Sequence, residues 1–171
     1  VYCIIRVLLI DLFYMKTFLR FLGFLSILLV FLLGLAFYWT FWKPLPPYET
    51  VIESPELSSP VDIYWDDFGI PHIYAQTQKD LYYALGYVHA QDRRWQLTLA
   101  QLAMEGRFAE YLGPDLIPLD KYQRTLGFWS TANKIINTVD SETISILEAY
   151  CKGINDFTLQ NENALPIEFA L

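Results

Sequence analysis

The longest apolar run in the chain, Phe21 to Trp42, is 22 consecutive uncharged residues, FLGFLSILLVFLLGLAFYWTFW. As an α-helix rising ~1.5 Å per residue it reaches roughly 33 Å, enough to cross a bilayer core of about 30 Å. The pattern then stops being apolar and stops being periodic. Lys43 to Pro60 holds five of the nine prolines, with Ser, Glu and Thr between them, and reads as an extended spacer. The folded region is expected to begin near Val61. From Val61 to Asp66 apolar and polar side chains alternate, the period of a half-buried strand. Asp67-Phe68-Gly69 supplies turn chemistry, and His72 to Ala75 returns as a second strand, with Pro71 at its start where no ladder N–H is required. Helical spacing follows: Leu81, Ala84, Leu85, Val88, Trp95, Leu99 and Leu102 recur three and four apart, with a phase slip around Gln91-Asp92. Asp80 is the expected N-cap, and Gly106 and Gly113-Pro114 punctuate the end. A last helix is expected from Asp140 or Ser141, its stripe formed by Ile144, Leu147, Cys151, Ile154 and Thr158 with Tyr150 and Phe157 beside it. The fold class is therefore α+β: one transmembrane helix, a β-hairpin and mainly α-helical segments.

Charge sharpens the division. Residues 1–43 carry four basic side chains against Asp11, whereas residues 44–171 carry eight basic against eighteen acidic. An acidic outer part with no Lys/Arg run disfavours a nucleic-acid partner, whose phosphates require a basic face. Lys16 and Arg20 precede the apolar run and Tyr38, Trp39 and Trp42 close it, so the positive-inside tendency places everything after Lys43 outside the cytoplasm. Residues 15–43 read as an uncleaved signal anchor; the alternative is a signal peptide cut near Gly34-Leu35-Ala36, giving a secreted protein. Either way the working part is exported. Met15-Lys16-Thr17-Phe18-Leu19-Arg20 reads as a natural start, so residues 1–14 read as a fragment end or an upstream over-call and not as functional sequence. Cys3 and Cys151 then lie on opposite sides of the membrane and cannot pair, and Cys151 reads as a small buried apolar residue.

Candidate chemistry is sparse. His72 is the first candidate catalyst because of its imidazole, but without a Ser or Cys nucleophile motif it reads as a strand residue bonded to local backbone. His89 and Asp92 are spaced to share one helical face; the pair reads as an intrahelical polar contact rather than an oriented imidazole or part of a metal site. Asp92-Arg93-Arg94 and Glu105-x-Arg107 read as solvated or ion-paired faces, unless Arg93 is buried against a carboxylate. Tyr82, Tyr83, Tyr87, Trp95, Phe108 and Tyr111 read as core rather than an acyl pocket, and Glu105 and Glu110 as too isolated for acid/base work. No G-x-S-x-G elbow, phosphate loop or zinc cluster is present.

A second kind of signal comes from motifs in order. Val61-x-Ile63…Asp66…Gly69-Ile70-Pro71-His72-Ile73 is followed by Asp80-Leu81…Leu85-Gly86-Tyr87-Val88-His89-Ala90-Gln91-Asp92-Arg93…Trp95-Gln96. Then come Glu105-Gly106-Arg107-Phe108-Ala109-Glu110…Gly113, Asp120…Arg124-x-Leu126-Gly127, Ala149-Tyr150…Gly153-Ile154-Asn155 and Leu165-Pro166-x-Glu168-Phe169. This succession resembles the amino-terminal, small-subunit part of the penicillin acylase (penicillin amidase) family of N-terminal-nucleophile hydrolases, over residues 61–171. Trp65 departs from it, standing where the family usually has a basic residue.

The resemblance implies a four-layer αββα fold and an exported amidohydrolase acting on acylated small molecules, penicillin-type β-lactams or acyl-homoserine lactones. It also implies a precursor that cuts itself, so that the new amino-terminal Ser of the following chain is the nucleophile. That Ser's α-amine would be the base, with an Asn and backbone N–H groups as oxyanion donors. These groups, the acyl-pocket residues and a carboxylate for a structural calcium are all expected beyond Leu171. No catalytic, cofactor-binding or metal-binding residue is therefore assigned in this chain. Its expected partners are the carboxyl-terminal catalytic chain of the same precursor, a small acylated amide and a membrane through residues 21–42. Two other readings stay open: a single-span protein with a non-enzymatic outer binding domain, and a degenerate family member lacking the nucleophile. Intact-mass analysis of the native protein should find no residue before Met15; any such residue overturns the assigned start.

Overall fold

This computed structural model describes residues 2–43, 45, 51–164 and 167–170. Spacer positions 44 and 46–50, the Leu165-Pro166 pair and the side chain of Cys3 lie outside the described residues. The chain divides into two units, Val1–Leu45 and Pro46–Leu171.

The first unit is a single helix, α1 (Tyr2–Phe37), whose last turn widens to π geometry over Tyr38–Trp42. Met15–Trp42 is the one stretch among the described residues long and apolar enough to cross a membrane. At its end the Lys43 Nζ sits 3.9 Å from the centroid of the Trp39 ring, a cation–π contact.

The second unit is mostly helical with one antiparallel hairpin. Strand β1 (Asp62–Trp65) pairs with β2 (Pro71–Tyr74), Ile63 opposite Ile73 and Tyr64 opposite His72. The expected alternation holds: Ile63, Trp65, Pro71 and Ile73 are half-buried, while Tyr64, His72 and Tyr74 face outward. The connection is organised by Asp66. Its Oδ1 accepts from the backbone N–H groups of Phe68 and Ile70, both at 2.9 Å, and Gly69 takes the positive φ of 73° that closes the turn.

Helix α2 (Gln78–Glu105) contains the phase slip as a physical kink, because Arg93 leaves helical geometry at φ −137°, ψ 27°. Its start differs from expectation. Thr77 is the N-cap, extended at φ −125°, ψ 154°, and its hydroxyl accepts from the Asp80 N–H. Asp80 therefore stands one turn inside the helix and is buried. Gly106 ends α2 in the left-handed conformation, as the sequence implies.

Beyond it come α3 (Phe108–Leu112), α4 (Ile117–Leu126) and α5 (Phe128–Ile135). The carboxylate of buried Asp120 in α4 takes the N–H groups of Phe108 and Ala109, each at 2.8 Å, and Arg124 donates to the Gly106 carbonyl. In this way α4 satisfies the open ends of both α2 and α3.

Helix α6 (Ser141–Gln160) starts where expected, with Asp140 as N-cap accepting from the Thr143 N–H. Its buried face keeps only part of the expected stripe: Ile144, Ile154 and Thr158 are half-buried, with Tyr150 and Phe157 beside them. Ala149, Gly153 and Phe157 are buried, whereas Leu147 and Cys151 are exposed. Cys151 lies two residues from Gly153, about 200° around the helix. The reason is backbone proximity: a Cβ on Gly153 would collide with the Tyr83 carbonyl in α2, and one on Gly86 with the Tyr150 carbonyl in α6. Around this crossing Tyr87 and Phe157 meet edge to face at 5.3 Å, with Ala90 fully buried beside them.

Residues 51–60 are not simply extended. Ser58 donates from N–H and hydroxyl to the two Asp80 oxygens at 2.9 and 2.6 Å, and Glu56 pairs with Lys152 of α6 at 2.5 Å. The part of the expected spacer that is described is thus strapped to α2 and α6. Replacing Gly153 by Ala should force the two helices apart and cost about 1–3 kcal/mol, read as a lowered midpoint in urea denaturation of the full-length protein.

Candidate functional site

The polar groups with chemical potential fall in three places on the second unit. The first is the outward hairpin face. His72 Nε2 lies 3.2 Å from Asp66 Oδ2, so its partner is a carboxylate and not the backbone group expected from sequence. Asp66 is held below the usual carboxylate range, chiefly by the Ile70 N–H. Tyr64 and Tyr74 flank the pair in an edge-to-face contact of 5.9 Å. An imidazole fixed by a carboxylate can exchange a proton, yet the side-chain hydrogen bond described for His72 runs to Asp66 and to no Ser, Thr or Cys. This pair ties β2 to the turn.

The second place is the α2–α6 seam. Tyr83 donates to Asp156 at 2.7 Å and shares a 2.8 Å hydrogen bond with the Ser54 hydroxyl. Burial pushes the Tyr83 phenol up to about 12, and the Asp156 carboxylate adds to the rise. Tyr87 donates to Gln160 at 3.0 Å. His89 hydrogen-bonds Tyr150 of α6 at 2.9 Å, so the expected His89–Asp92 contact gives way to a contact between helices. The kink at Arg93 explains part of this: the helix loses its regular turn just beyond Asp92. Arg93 itself is exposed, and Arg94 is the arginine engaged, donating to Thr158 and Thr98 at 2.8 Å each.

The third place is the α2–α3 junction. Arg107 bridges Glu105 at 2.7 Å and Glu110 at 2.8 Å. The two acids expected to be isolated converge on one guanidinium; the Gln101 amide and then Arg107 hold the Glu105 carboxyl below its ordinary range, and Arg107 does the same for Glu110. That is an ion-pair cluster and not an acid/base pair. Among the described residues no group of three or more His, Cys, Asp or Glu is placed to hold a metal ion.

Beside the seam lies a half-enclosed cavity of about 390 Å³ between residues 51–61, β1 and the first half of α2. Tyr83, Ala84, Tyr87 and Gln91 form its helical wall, so some of the expected core aromatics do line a cavity, whereas Tyr82 and Tyr111 are exposed. The Gln91 side-chain nitrogen is sealed from solvent and meets no acceptor among the described residues. A buried donor left unpaired in this way costs about 1–3 kcal/mol. Sequence reasoning placed Gln91 and Asp120 only within the ordered motifs, with no role for either, and did not single out Asp156, an ordinary polar residue on a helix. Only Asp80 carried a signal, in the Thr77-x-x-Asp80 spacing of a capping box.

This arrangement of hairpin, kinked helix and paired terminal helix is similar to part of a solved penicillin G acylase. The penicillin amidase family profile matches residues 60–171, and the chain belongs to that family. It is 40% identical over 127 residues to the penicillin acylase 2 proenzyme of Pseudomonas sp. (strain SE83), covering 74% of this chain and 16% of that protein. It is 38% identical over 117 residues to penicillin G acylase of Escherichia coli, covering 66% of this chain and 14% of that protein. Acyl-homoserine lactone acylase QuiP of Pseudomonas aeruginosa is 32% identical over 126 residues, 74% of this chain and 15% of QuiP. The chain thus spans only 14–16% of the length of these curated relatives. Among solved structures, the thermostable penicillin G acylase from Alcaligenes faecalis superposes with a TM-score of 0.60 at 28% identity, over 65% of this chain and 60% of that one.

The raised Tyr83 pKa sets a pH dependence. A phenol that ionises near 10 when unfolded and near 12 when folded leaves the folded state binding the extra proton. Its contribution is complete below pH 10 and is lost as pH rises from 10 to 12. Tyr83→Phe should flatten the fall of thermal midpoint in that window, while lowering the midpoint at pH 7 because Ser54 and Asp156 lose their partner.

Proposed function

We propose that this chain is the amino-terminal part of an exported amidohydrolase that cleaves the linear amide of an acylated small molecule, a penicillin-type β-lactam or an acyl-homoserine lactone. The observation that carries this reading is family membership over residues 60–171, joined to relatives named as acylases of both substrate classes. The whole protein would have the αββα fold, with its catalytic groups on a downstream segment of the same precursor. There an N-terminal Ser would attack the amide carbonyl while its own α-amine takes the hydroxyl proton. Backbone N–H groups and an Asn would hold the oxyanion, and the proton would pass to the departing amine. A structural calcium would belong to that later part as well.

The residues in hand serve the scaffold in this scheme. Asp66, Asp80 and Asp120 each tie backbone N–H groups to fixed elements, and none carries a reacting atom. Met15–Trp42 would anchor the protein in a membrane, with the acidic folded unit outside the cytoplasm. The aromatic cluster Tyr38, Trp39 and Trp42 beside Lys43 suits a membrane–water interface. Cleavage near Ala36, giving a secreted enzyme, is the variant of this reading.

Two measurements test it. The full-length protein should release amine from an acyl anilide and from a long-chain acyl-homoserine lactone, and should be labelled by a serine-reactive acylating probe. Residues 44–171 alone should release none. Absence of turnover and of labelling in the correctly processed full-length protein would sink the enzyme reading.

A further inference from the structure

Between Asp120 and Asp140 the second unit changes character. Residues 121–139 carry Lys121, Arg124 and Lys134 and no Asp or Glu, whereas the rest of residues 44–171 holds five basic side chains against all eighteen acidic ones. Arg124 donates to the Gly106 carbonyl, but Lys121 and Lys134 are exposed and form no ion pair among the described residues. The same stretch carries apolar surface that the unit leaves uncovered. In α5 the apolar positions Phe128, Trp129, Ala132 and Ile135 share one side of the helix, and Ile136 continues it, an arc of about 120°. The four large side chains on that arc are 45–53% exposed. Ser130, Thr131, Asn133 and Lys134 fill the other side. Tyr122 and Leu126, one turn apart in α4, are also exposed.

We propose that α5, with the end of α4, is an interfacial surface that lies on an anionic lipid bilayer. Its aromatic and aliphatic side enters the headgroup boundary, and Lys121 and Lys134 meet lipid phosphates. An interfacial helix requires an apolar side, a cationic polar side and Trp or Phe among its apolar residues, whose rings suit that boundary. The lysine stems reach phosphates while keeping their charge in water. Anionic lipids repel the carboxylates elsewhere in the unit, so the acid-free stretch is the part that can approach them. A second copy of this chain docked through the same surface would set Lys121 and Lys134 against their own kind, and a nucleic acid would leave the apolar side unused. The inference rests on the proposed reading of Met15–Trp42 as an anchor. A tethered unit meets the bilayer at high effective concentration, so even a short interfacial helix suffices.

The test uses the full-length protein in vesicles, with a nitroxide on Ile136→Cys or, separately, on Asn133→Cys, in a background without other cysteines. Phosphatidylglycerol mixed with phosphatidylcholine is compared with phosphatidylcholine alone, and relaxation by oxygen and by a water-soluble nickel chelate reports depth. On the mixed vesicles the label at position 136 should gain oxygen contact and lose nickel contact severalfold, while the label at position 133 stays open to nickel. Lys121→Glu combined with Lys134→Glu should abolish the difference between the two lipids. A label at position 136 that stays open to nickel on the mixed vesicles overturns the proposal. So does a label shielded from both relaxants on either lipid, which means that protein covers the face. Immersion indifferent to lipid charge or to the two lysines overturns it as well. Flotation after a high-salt wash reports the anchor separately. Retained flotation with position 136 in water refutes the interfacial surface alone, whereas immersion of position 136 in protein that salt then strips from the vesicles refutes only the anchor.

Discussion

Backbone contact between α2 and α6 at Gly86 and Gly153 is the constraint from which the second unit is built. Neither glycine needs an unusual φ; each is there because the opposing carbonyl occupies the space a Cβ would take. Close-packed interiors tolerate little change in volume, so a crossing this tight admits one register. Once it is set, Tyr83 reaches Asp156, Tyr87 meets Phe157 and His89 meets Tyr150. Each of these joins residues more than 60 positions apart in sequence.

The crossing also provides the platform for everything that precedes it in the chain. Tyr83 bonds both Asp156 and Ser54, so one phenol holds the seam and the strap together. Asp80 and Lys152 fix the strap at two further points. A hairpin of two four-residue strands is marginal alone in water. Here it rests partly on α2 and partly on its own turn, where Asp66 gathers Phe68, Ile70 and His72. The far end of α2 is closed in the same manner, with Asp120 and Arg124 of α4 satisfying backbone groups around Gly106. Carboxylates accepting backbone N–H groups recur at each junction, and these bonds to charged acceptors are the stronger kind.

Legibility differed with the range of the interaction. The hairpin, the break near Gln91-Asp92, the Gly106 stop and the Asp140 cap were readable because each is set within a few residues. Asp80 was misplaced by one turn: Thr77 three positions earlier competes for the cap, and only the strap shows why Asp80 is buried. Cys151 was misjudged because side-chain hydrophobicity was weighed where Ala149 and Gly153, small and inconspicuous, decide which face packs. His89 lost Asp92 to Tyr150, a partner no local spacing could nominate. His72 found Asp66 rather than backbone because the turn folds the carboxylate back across the strand pair.

Motif order by itself determined the family, since six short patterns in sequence carry information that no single helix or strand pattern does. Hydrophobic periodicity determined the element types, because periods of two and of 3.6 are written in neighbouring residues. The tertiary structure alone decided the buried face of α6, the docking of residues 51–60 and the hollow beside Gln91. Each depends on the distance between two backbones far apart along the chain, and no run of adjacent side chains encodes a distance of that kind.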